Sequence, residues 1–373
     1  MGMLARAMVA GLCLAGLTAA PGLAETSSWQ QRITPAAPKS KAGDSGGGAK
    51  VKSRRIEPSQ VPKDSLGGKA AAGKPVATLG LSTAPVGAEG AEAAYDAFDQ
   101  GRYLTALRLA AGAAQKGDPQ AHTLVARIHA EGLGVPQDPG LAAQWYARGV
   151  DLGDVEAALG LGALHARGTG VKQDYVKAAE LFEKAAITGH AEGAYNLGIL
   201  YLAGLGKPEN TRRGFQLMLY AAEKGVVAAM YDVGSLYATG TGTEANAFEA
   251  AKWIGKAANE GHPEAEVEYA VILLRDHEVT PELRAQMHRR GAELLRSAAA
   301  KGIAVAQNRL ARCYLQGVGV AKDAAEAAKW HLVAKAGGVE DEVLEKAFKA
   351  LPAAERQKAS VAAAEWREQT FLD

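Results

Sequence analysis

From about residue 117 onward, hydrophobic positions recur with the spacing of amphipathic helices. Between Asp118 and Gly132, apolar residues fall at Ala121, Val125 and Ile128, a spacing that places them on one helix face. An acidic residue suited to capping stands before this stretch, and a glycine suited to ending a helix follows it. The segment is therefore predicted to form a single short helix.

The same pattern returns along the chain at a fixed interval. Gly-x-Gly pairs open at Gly132, Gly168, Gly204 and Gly240, each 36 residues after the last, and a fifth pair opens at Gly317. Two close glycines supply the backbone freedom of a tight turn, so each pair is predicted to separate two helices. A period of this length is typical of a solenoid built from helix pairs.

The last regular copy carries the marks of the repeat most clearly. They are Ala306, Leu310, Tyr314, Gly317, Gly319, Val320, Asp323, Ala327 and Trp330. This motif resembles the Sel1-like repeat family, a branch of the tetratricopeptide-repeat superfamily. The resemblance implies an all-α fold, an α/α solenoid in which antiparallel helix pairs form a right-handed superhelix. It also implies binding of partner proteins or peptides, and it implies no chemistry.

Four segments are predicted along the chain. They are a signal peptide at 1–24, a disordered basic linker rich in Pro, Gly, Ser and Ala at 25–90, the repeat array at 91–338, and capping helices at 339–373. Within the array, 91–116 forms a half-unit that shields the first face, as terminal repeats must. Six repeats follow, starting at residues 117, 153, 189, 225, 261 and 302.

The first 24 residues have the three parts of a secretory signal. Arg6 supplies a positive start, residues 8–17 form an apolar run too short to span a bilayer, and residues 22–24 offer a small-residue cleavage site. Cleavage would leave a periplasmic or secreted bacterial protein with no stable membrane insertion. An uncleaved anchor is the alternative.

Charge is distributed unevenly, although the formal net charge is only +1. The linker holds ten Lys and Arg against five Asp and Glu, whereas residues 91–373 hold 31 against 36. The linker could tether the array to an anionic surface or act only as a spacer. The overall balance gives no electrostatic reason to expect nucleic acid as a partner. Residues 68–74 fit the first seven places of a phosphate-binding loop, but Pro75 stands where Ser or Thr should hold magnesium.

Residues that could carry catalysis or bind a cofactor do not form a recognisable pattern. The predicted mature chain has a single cysteine, Cys313, in a place occupied by Ile or Leu in the other units. The chain contains no Ser-x-x-Lys, the signature of penicillin-recognising acyl-enzymes, and no zinc-type spacing of His and Cys. We therefore expect a protein that is not an enzyme and that uses no cofactor or metal. We also expect it to be a monomer.

The fifth unit departs from its neighbours. It spans residues 261–301, five more than a regular unit, and it lacks the Gly-x-Gly turn. Thr280 is predicted to cap a long second helix that continues to about Ala300. Arg284, Arg289 and Arg290 fall on this added length. The insertion is interpreted either as a tolerated length variation or as a contact surface for an acidic partner.

In tetratricopeptide-like arrays the first helix of each pair lines the concave face. Aligning the units places eight further candidates for partner binding there: Arg127, Tyr195, Asn196, Tyr231, Asp232, Glu268, Asn308 and Arg312. The predicted function is that of an exported, non-catalytic adaptor that binds or regulates a bacterial envelope protein. The alternatives are a protein that binds or hydrolyses the cell wall, with peptidoglycan or penicillin as ligand, and a cytoplasmic repeat scaffold.

Overall fold

The computed structural model describes residues 91–275 and 277–370, and all regular structure among them is α-helical. The predicted signal peptide and linker lie outside these residues, as do the last three residues. Sixteen helices follow one another in the described chain. Their bounds are α1 Ala91–Asp99, α2 Tyr103–Gln115, α3 Pro119–Glu131, α4 Pro139–Asp151, α5 Val155–Arg167, α6 Tyr175–Ile187, α7 Ala191–Ala203, α8 Thr211–Glu223, α9 Val227–Thr239, α10 Ala247–Asn259, α11 Pro263–Leu274, α12 Pro281–Ala300, α13 Ala304–Gln316, α14 Ala324–Ala336, α15 Glu342–Ala350 and α16 Ala353–Thr370.

The helices are stacked as consecutive pairs. In each unit the first helix packs against the second, as α3 does against α4, and each second helix packs against the first helix of the next unit. First helices of neighbouring units also contact each other, as α1 contacts α3 and α3 contacts α5. The side on which first helices approach one another is the inner side of the stack. The predicted all-α solenoid of helix pairs is therefore confirmed.

The ends of α3 illustrate how the sequence sets each helix. The Asp118 side chain accepts a hydrogen bond from the Ala121 amide at 3.2 Å, and Pro119 occupies the first turn, where no intrahelical partner is lost. At the other end, Gly132 has φ of 72° and donates its amide to the Ile128 carbonyl. That left-handed conformation favours glycine. The predicted start and end of this helix are confirmed.

The second glycine of each Gly-x-Gly pair makes a stacking contact between units. A Cβ placed on Gly242 would lie 2.2 Å from the carbonyl oxygen of Thr211, the first residue of α8 in the preceding unit. A Cβ placed on Gly170 or Gly206 would lie similarly close to the backbone of the first residue of α4 or α6. The turn of one unit therefore packs directly on the first turn of the second helix before it. No side chain fits into that contact at Gly170, Gly206 or Gly242.

The core is a continuous series of small clusters under the helix pairs. Most of its residues are alanine or leucine. Trp253, which is 4% exposed, is one of the few large aromatic residues in it. Trp330 takes the same place in the last unit, and Trp366 of α16 packs on it with ring centroids 5.4 Å apart. The closing helix thereby covers the apolar end of the array.

Cys313 lies in this core, as its register predicts. It is 5% exposed, and burial raises the pKa of its thiol to about 11. Because the thiolate is the reactive form, we expect thiol reagents to label native Cys313 much more slowly than the chain in urea. Timed labelling with a maleimide, followed by mass spectrometry, measures this. Equal rates in buffer and in urea would contradict the buried placement.

The fifth unit has the long second helix that the sequence predicts. The Thr280 hydroxyl accepts a hydrogen bond from the Leu283 amide at 3.3 Å, and α12 then continues to Ala300. However, a Cβ on Gly319 would lie 2.1 Å from the His288 carbonyl oxygen. His288 therefore occupies the stacking place that Thr211 occupies in the third unit. The added length is residues 281–287, so the prediction that Arg289 and Arg290 fall on it is wrong.

Candidate functional site

The inner surface of the array is formed by the first helices of the units. Two rows of side chains lie one helical turn apart on this surface, at the tenth and fourteenth places after each repeat start. The fourteenth-place residues are all exposed or half-buried: Glu131, Arg167, Ala203, Thr239, Arg275 and Gln316. Their types differ from unit to unit, while the turn glycines recur. Stacking therefore does not dictate the chemistry of this row.

Two residues predicted to face a partner are instead buried against each other. The Tyr195 hydroxyl donates to the Asp232 carboxylate at 2.7 Å, and the residues are 6% and 1% exposed. The bond joins α7 to α9, so it crosses from the third unit to the fourth. A buried carboxylate needs such a donor because desolvation penalises an unpaired charge. The prediction that Tyr195 and Asp232 form a binding surface is corrected: they connect neighbouring units.

The next two units repeat this arrangement. The Tyr231 hydroxyl donates to the Glu268 carboxylate at 2.7 Å, joining α9 to α11, and the Tyr231 ring stacks on His262 with centroids 4.7 Å apart. Burial raises the pKa of Glu268, an effect that the hydrogen bond from Tyr231 only partly offsets. Tyr231 is buried and Glu268 is half-buried. These candidates too connect units and are not free contact residues.

Asn308 and Arg312 are engaged with the C-terminal cap. Both donate to one carboxylate oxygen of Asp341, at 3.1 and 2.6 Å, while the other oxygen caps α15 by accepting the amides of Val343 and Leu344. Asp341 is 8% exposed, whereas 48% of the Arg312 side chain remains exposed. Asn308 and Arg312 therefore help to fix the closing helices, and Arg312, with half of its side chain accessible, stays a candidate for partner contact.

The Asp341 site makes the stability of the array sensitive to acid. Burial opposes ionisation of Asp341, but the hydrogen bonds from Arg312 and Asn308 outweigh it and lower its pKa from 3.8 to about 2. The carboxylate therefore contributes stability in full above pH 3.8, and that contribution is lost as the pH falls toward 2. We expect Asp341→Asn to be less stable than the wild type at pH 6 and nearly equal to it at pH 2. A stability difference that is constant across this range in urea titrations would contradict the assignment.

Arg127 and Asn196 remain on the accessible inner surface. The Arg127 guanidinium lies 4.8 Å from the centre of the Phe98 ring and binds Glu131 at 2.9 Å, with half of its side chain exposed. Asn196 donates to the Glu192 carbonyl at 2.9 Å and is half-buried. Neither interaction takes the side chain out of reach, so both residues are retained as contact candidates.

The three arginines that were predicted to lie on the added length of the fifth unit do not form one cluster with one role. Arg284 donates to the His277 carbonyl at 3.0 Å and so holds the irregular loop before α12. Arg290 donates to the Asn259 side chain at 2.9 Å and lies 3.3 Å from Glu293. Arg289 is exposed. Arg284 is therefore reassigned to loop anchoring, and Arg290 is partly neutralised by its own neighbours.

The sequence interpretation missed Arg309, which lies near Arg312 and Arg275 on the inner surface. Arg309 is half-buried on α13, and its pKa is lowered by burial and then by the charges of Arg312 and Arg275. A signal was present in the sequence. Arg309 stands in the place that Asp232 and Glu268 hold in the two preceding units, so the charge at this position changes sign.

No group of three His, Cys, Asp or Glu side chains in residues 91–275 and 277–370 is placed to hold a metal ion. In the same ranges, no helix combines the length and apolar character needed to cross a bilayer. The arrangement offers a polar, extended inner surface with hydrogen-bonding and charged groups.

Comparison with known proteins agrees with this architecture. Five stretches match the family model described as Sel1 repeat, at residues 119–154, 155–190, 191–226, 227–262 and 304–339. Each match begins two residues after a predicted repeat start. The intervening residues, 263–303, contain the irregular fifth unit and are not part of any of the five matches.

Similarity to solved structures is also found. A Sel1 repeat protein from Oxalobacter formigenes is 27% identical, with a TM-score of 0.57, over 66% of this chain and 69% of that one. A protective antigen of uropathogenic Escherichia coli with an SLR fold is 22% identical, with a TM-score of 0.43, over 70% and 71% of the two chains. A comparison with curated proteins returned no significant match.

Proposed function

We propose, on the premise that this chain belongs to the Sel1 repeat family, that it is an exported, non-catalytic adaptor for a bacterial envelope protein. Sel1 repeats generally mediate protein–protein interaction, and five copies are present here. The observation that carries the proposal is the inner surface of the first helices. Its exposed fourteenth-place row changes from Glu131 through Arg167 and Thr239 to Gln316, while the residues that stack the units recur. A surface free of stacking constraints suits recognition of a protein partner.

Export rests on the N-terminal sequence. The positive start, the short apolar run and the small residues at 22–24 support cleavage before Glu25. We expect N-terminal sequencing of the protein from the periplasm or the medium to give a chain that begins at Glu25. Full-length protein that begins with Met1 and remains in the cytoplasm or inner membrane would contradict export.

The binding surface can be tested by capture from an envelope fraction. Mature protein serves as bait beside two variants, Arg167→Glu on the inner surface and Arg148→Glu on the exposed side of α4. Both arginines lie in the last turn of a helix, so the two variants have the same effect on helix electrostatics. We expect Arg167→Glu to lose a prey that Arg148→Glu retains. Equal recovery from all three baits, or no specific prey from any of them, would contradict the proposal.

A further inference from the structure

Arg309 carries a positive charge that no carboxylate of the described residues balances. Its side chain is half-buried, and its Nε is inaccessible to solvent and has no hydrogen-bond partner. No carboxylate in the described ranges forms an ion pair with it. A partly desolvated charge without a partner is costly, because burial removes water without supplying a replacement.

The repeat register explains why Arg309 has no partner among the described residues. In the two preceding units this place is taken by Asp232 and Glu268, which accept hydrogen bonds from tyrosines one unit earlier. The residue that would contact Arg309 in the same way is Val267, which has no hydroxyl. The sixth unit therefore breaks the sequence of tyrosine–carboxylate pairs and leaves a guanidinium at the inner surface.

Two further arginines add to the positive charge around Arg309. Arg312 lies one helical turn later on α13, and Arg275 follows the last residue of α11, in the irregular unit that lacks the glycine turn. Both are exposed, and both are close enough to lower the pKa of Arg309 in addition to the effect of burial. Arg312 binds Asp341, but half of its side chain stays accessible. We call Arg275, Arg309 and Arg312 the arginine cluster.

We propose that the arginine cluster binds a carboxylate of an acidic peptide segment of the partner, with Arg309 as the anchor. The planar guanidinium matches a carboxylate, and such charge-assisted hydrogen bonds are stronger than neutral ones. The choice of a peptide as the source of the anion rests on the proposed function. The cluster lies on the inner surface, at the end of the array where α15 and α16 close it.

Short synthetic peptides provide the binding test. The probe is a fluorescein-labelled hexapeptide with two central glutamates and an amidated C-terminus, titrated with mature protein by fluorescence anisotropy at low and moderate salt. A glutamine version tests whether side-chain carboxylates are needed. The glutamine version with a free C-terminus tests whether the terminal carboxylate is the group that binds. We expect binding of at least one carboxylate form, weakened by salt, and no binding of the amidated glutamine form.

Matched variants link that binding to the cluster. Arg309→Met should weaken peptide binding about tenfold, because one charge-assisted contact is removed. Arg148→Met removes the same charge from exposed α4 and should leave binding unchanged. Equal affinity of the two variants would overturn the proposal. So would tighter, Arg309-dependent binding of a hexathymidine oligonucleotide, since the cluster would then be a nucleic-acid site.

A stability measurement separates a binding role from a structural one. If Arg309 has no internal partner, Arg309→Met should melt at the same temperature as the wild type or higher. Arg312→Met should melt lower, because it leaves the buried Asp341 carboxylate without its arginine. A clear loss of stability in Arg309→Met would show that the chain itself compensates this cation, and would overturn the proposal.

The two proposals can fail separately. If capture of a prey depends on Arg167 but peptide affinity is unchanged in Arg309→Met, only the arginine-cluster proposal is overturned. Peptide binding that depends on Arg309, together with no prey from the envelope, would overturn only the envelope adaptor.

Discussion

Trp253→Ala should lower the free energy of unfolding by about 3–5 kcal/mol, the cost of truncating a fully buried aromatic side chain. Trp253 is 4% exposed and packs in the cluster that joins the third and fourth units, with Phe215, Met218 and Val233. Its ring is too large for the neighbours to collapse into the space it leaves. Because each unit contacts only its neighbours, the loss should fall on the middle of the array, and urea unfolding should lose cooperativity.

Trp145 provides the matched control for this prediction. It holds the same place in the first unit but is only half-buried. Trp145→Ala should therefore cost less than Trp253→Ala. The comparison is made by urea denaturation followed by circular dichroism. Equal losses, or a larger loss for Trp145→Ala, would show that burial at this place does not decide the stability of the units.

Gly242→Ala should destabilise the array by about 1–3 kcal/mol more than Gly225→Ala, the range that overpacking costs in a close-packed interior. Both glycines have positive φ, 73° and 99°, so both substitutions carry the strain of a left-handed residue. A Cβ on Gly225 meets nothing within 4 Å, whereas one on Gly242 lies 2.2 Å from the Thr211 carbonyl oxygen. That oxygen belongs to the first turn of α8, so only separation of two units relieves the clash.

Thermal melting of the two variants beside the wild type tests this difference. The strain from positive φ is common to both, so the excess loss in Gly242→Ala reports the stacking contact alone. Equal melting temperatures for the two variants would mean that the turn of the fourth unit does not pack tightly on the third.

The helices could be predicted from the sequence because their determinants are local. Caps such as Asp118, and the left-handed position of Gly132, act within a few residues and recur in each copy. The burial of Asp232 could not be predicted in the same way. Its hydroxyl donor, Tyr195, lies one repeat plus one residue earlier, so no single copy contains the pair. Asp232 was therefore interpreted as an exposed polar residue, although Tyr195 of the preceding unit contacts it.

Arg309 and Arg275 escaped prediction for a related reason. Arg309 is significant only because Val267 replaces the tyrosine of earlier units, and because Arg275 follows a helix that ends without a glycine turn. Both facts concern neighbouring units and not the repeat itself. The insertion drew attention to Arg284, whose guanidinium holds a loop carbonyl. The irregular unit contributes to the proposed site through Arg275, which stands at the start of the loop.

Site-specific photocrosslinking tests most directly whether the inner surface of the array binds the partner. A benzoylphenylalanine probe is placed at exposed inner positions, Arg167 and Thr239, and at exposed positions of second helices, Arg148 and Lys184. After irradiation of intact cells, the inner probes should give a discrete adduct with an envelope protein, and the second-helix probes should give none. An adduct of the same size from Arg148 and Lys184, with nothing from Arg167 and Thr239, would contradict binding through the inner surface.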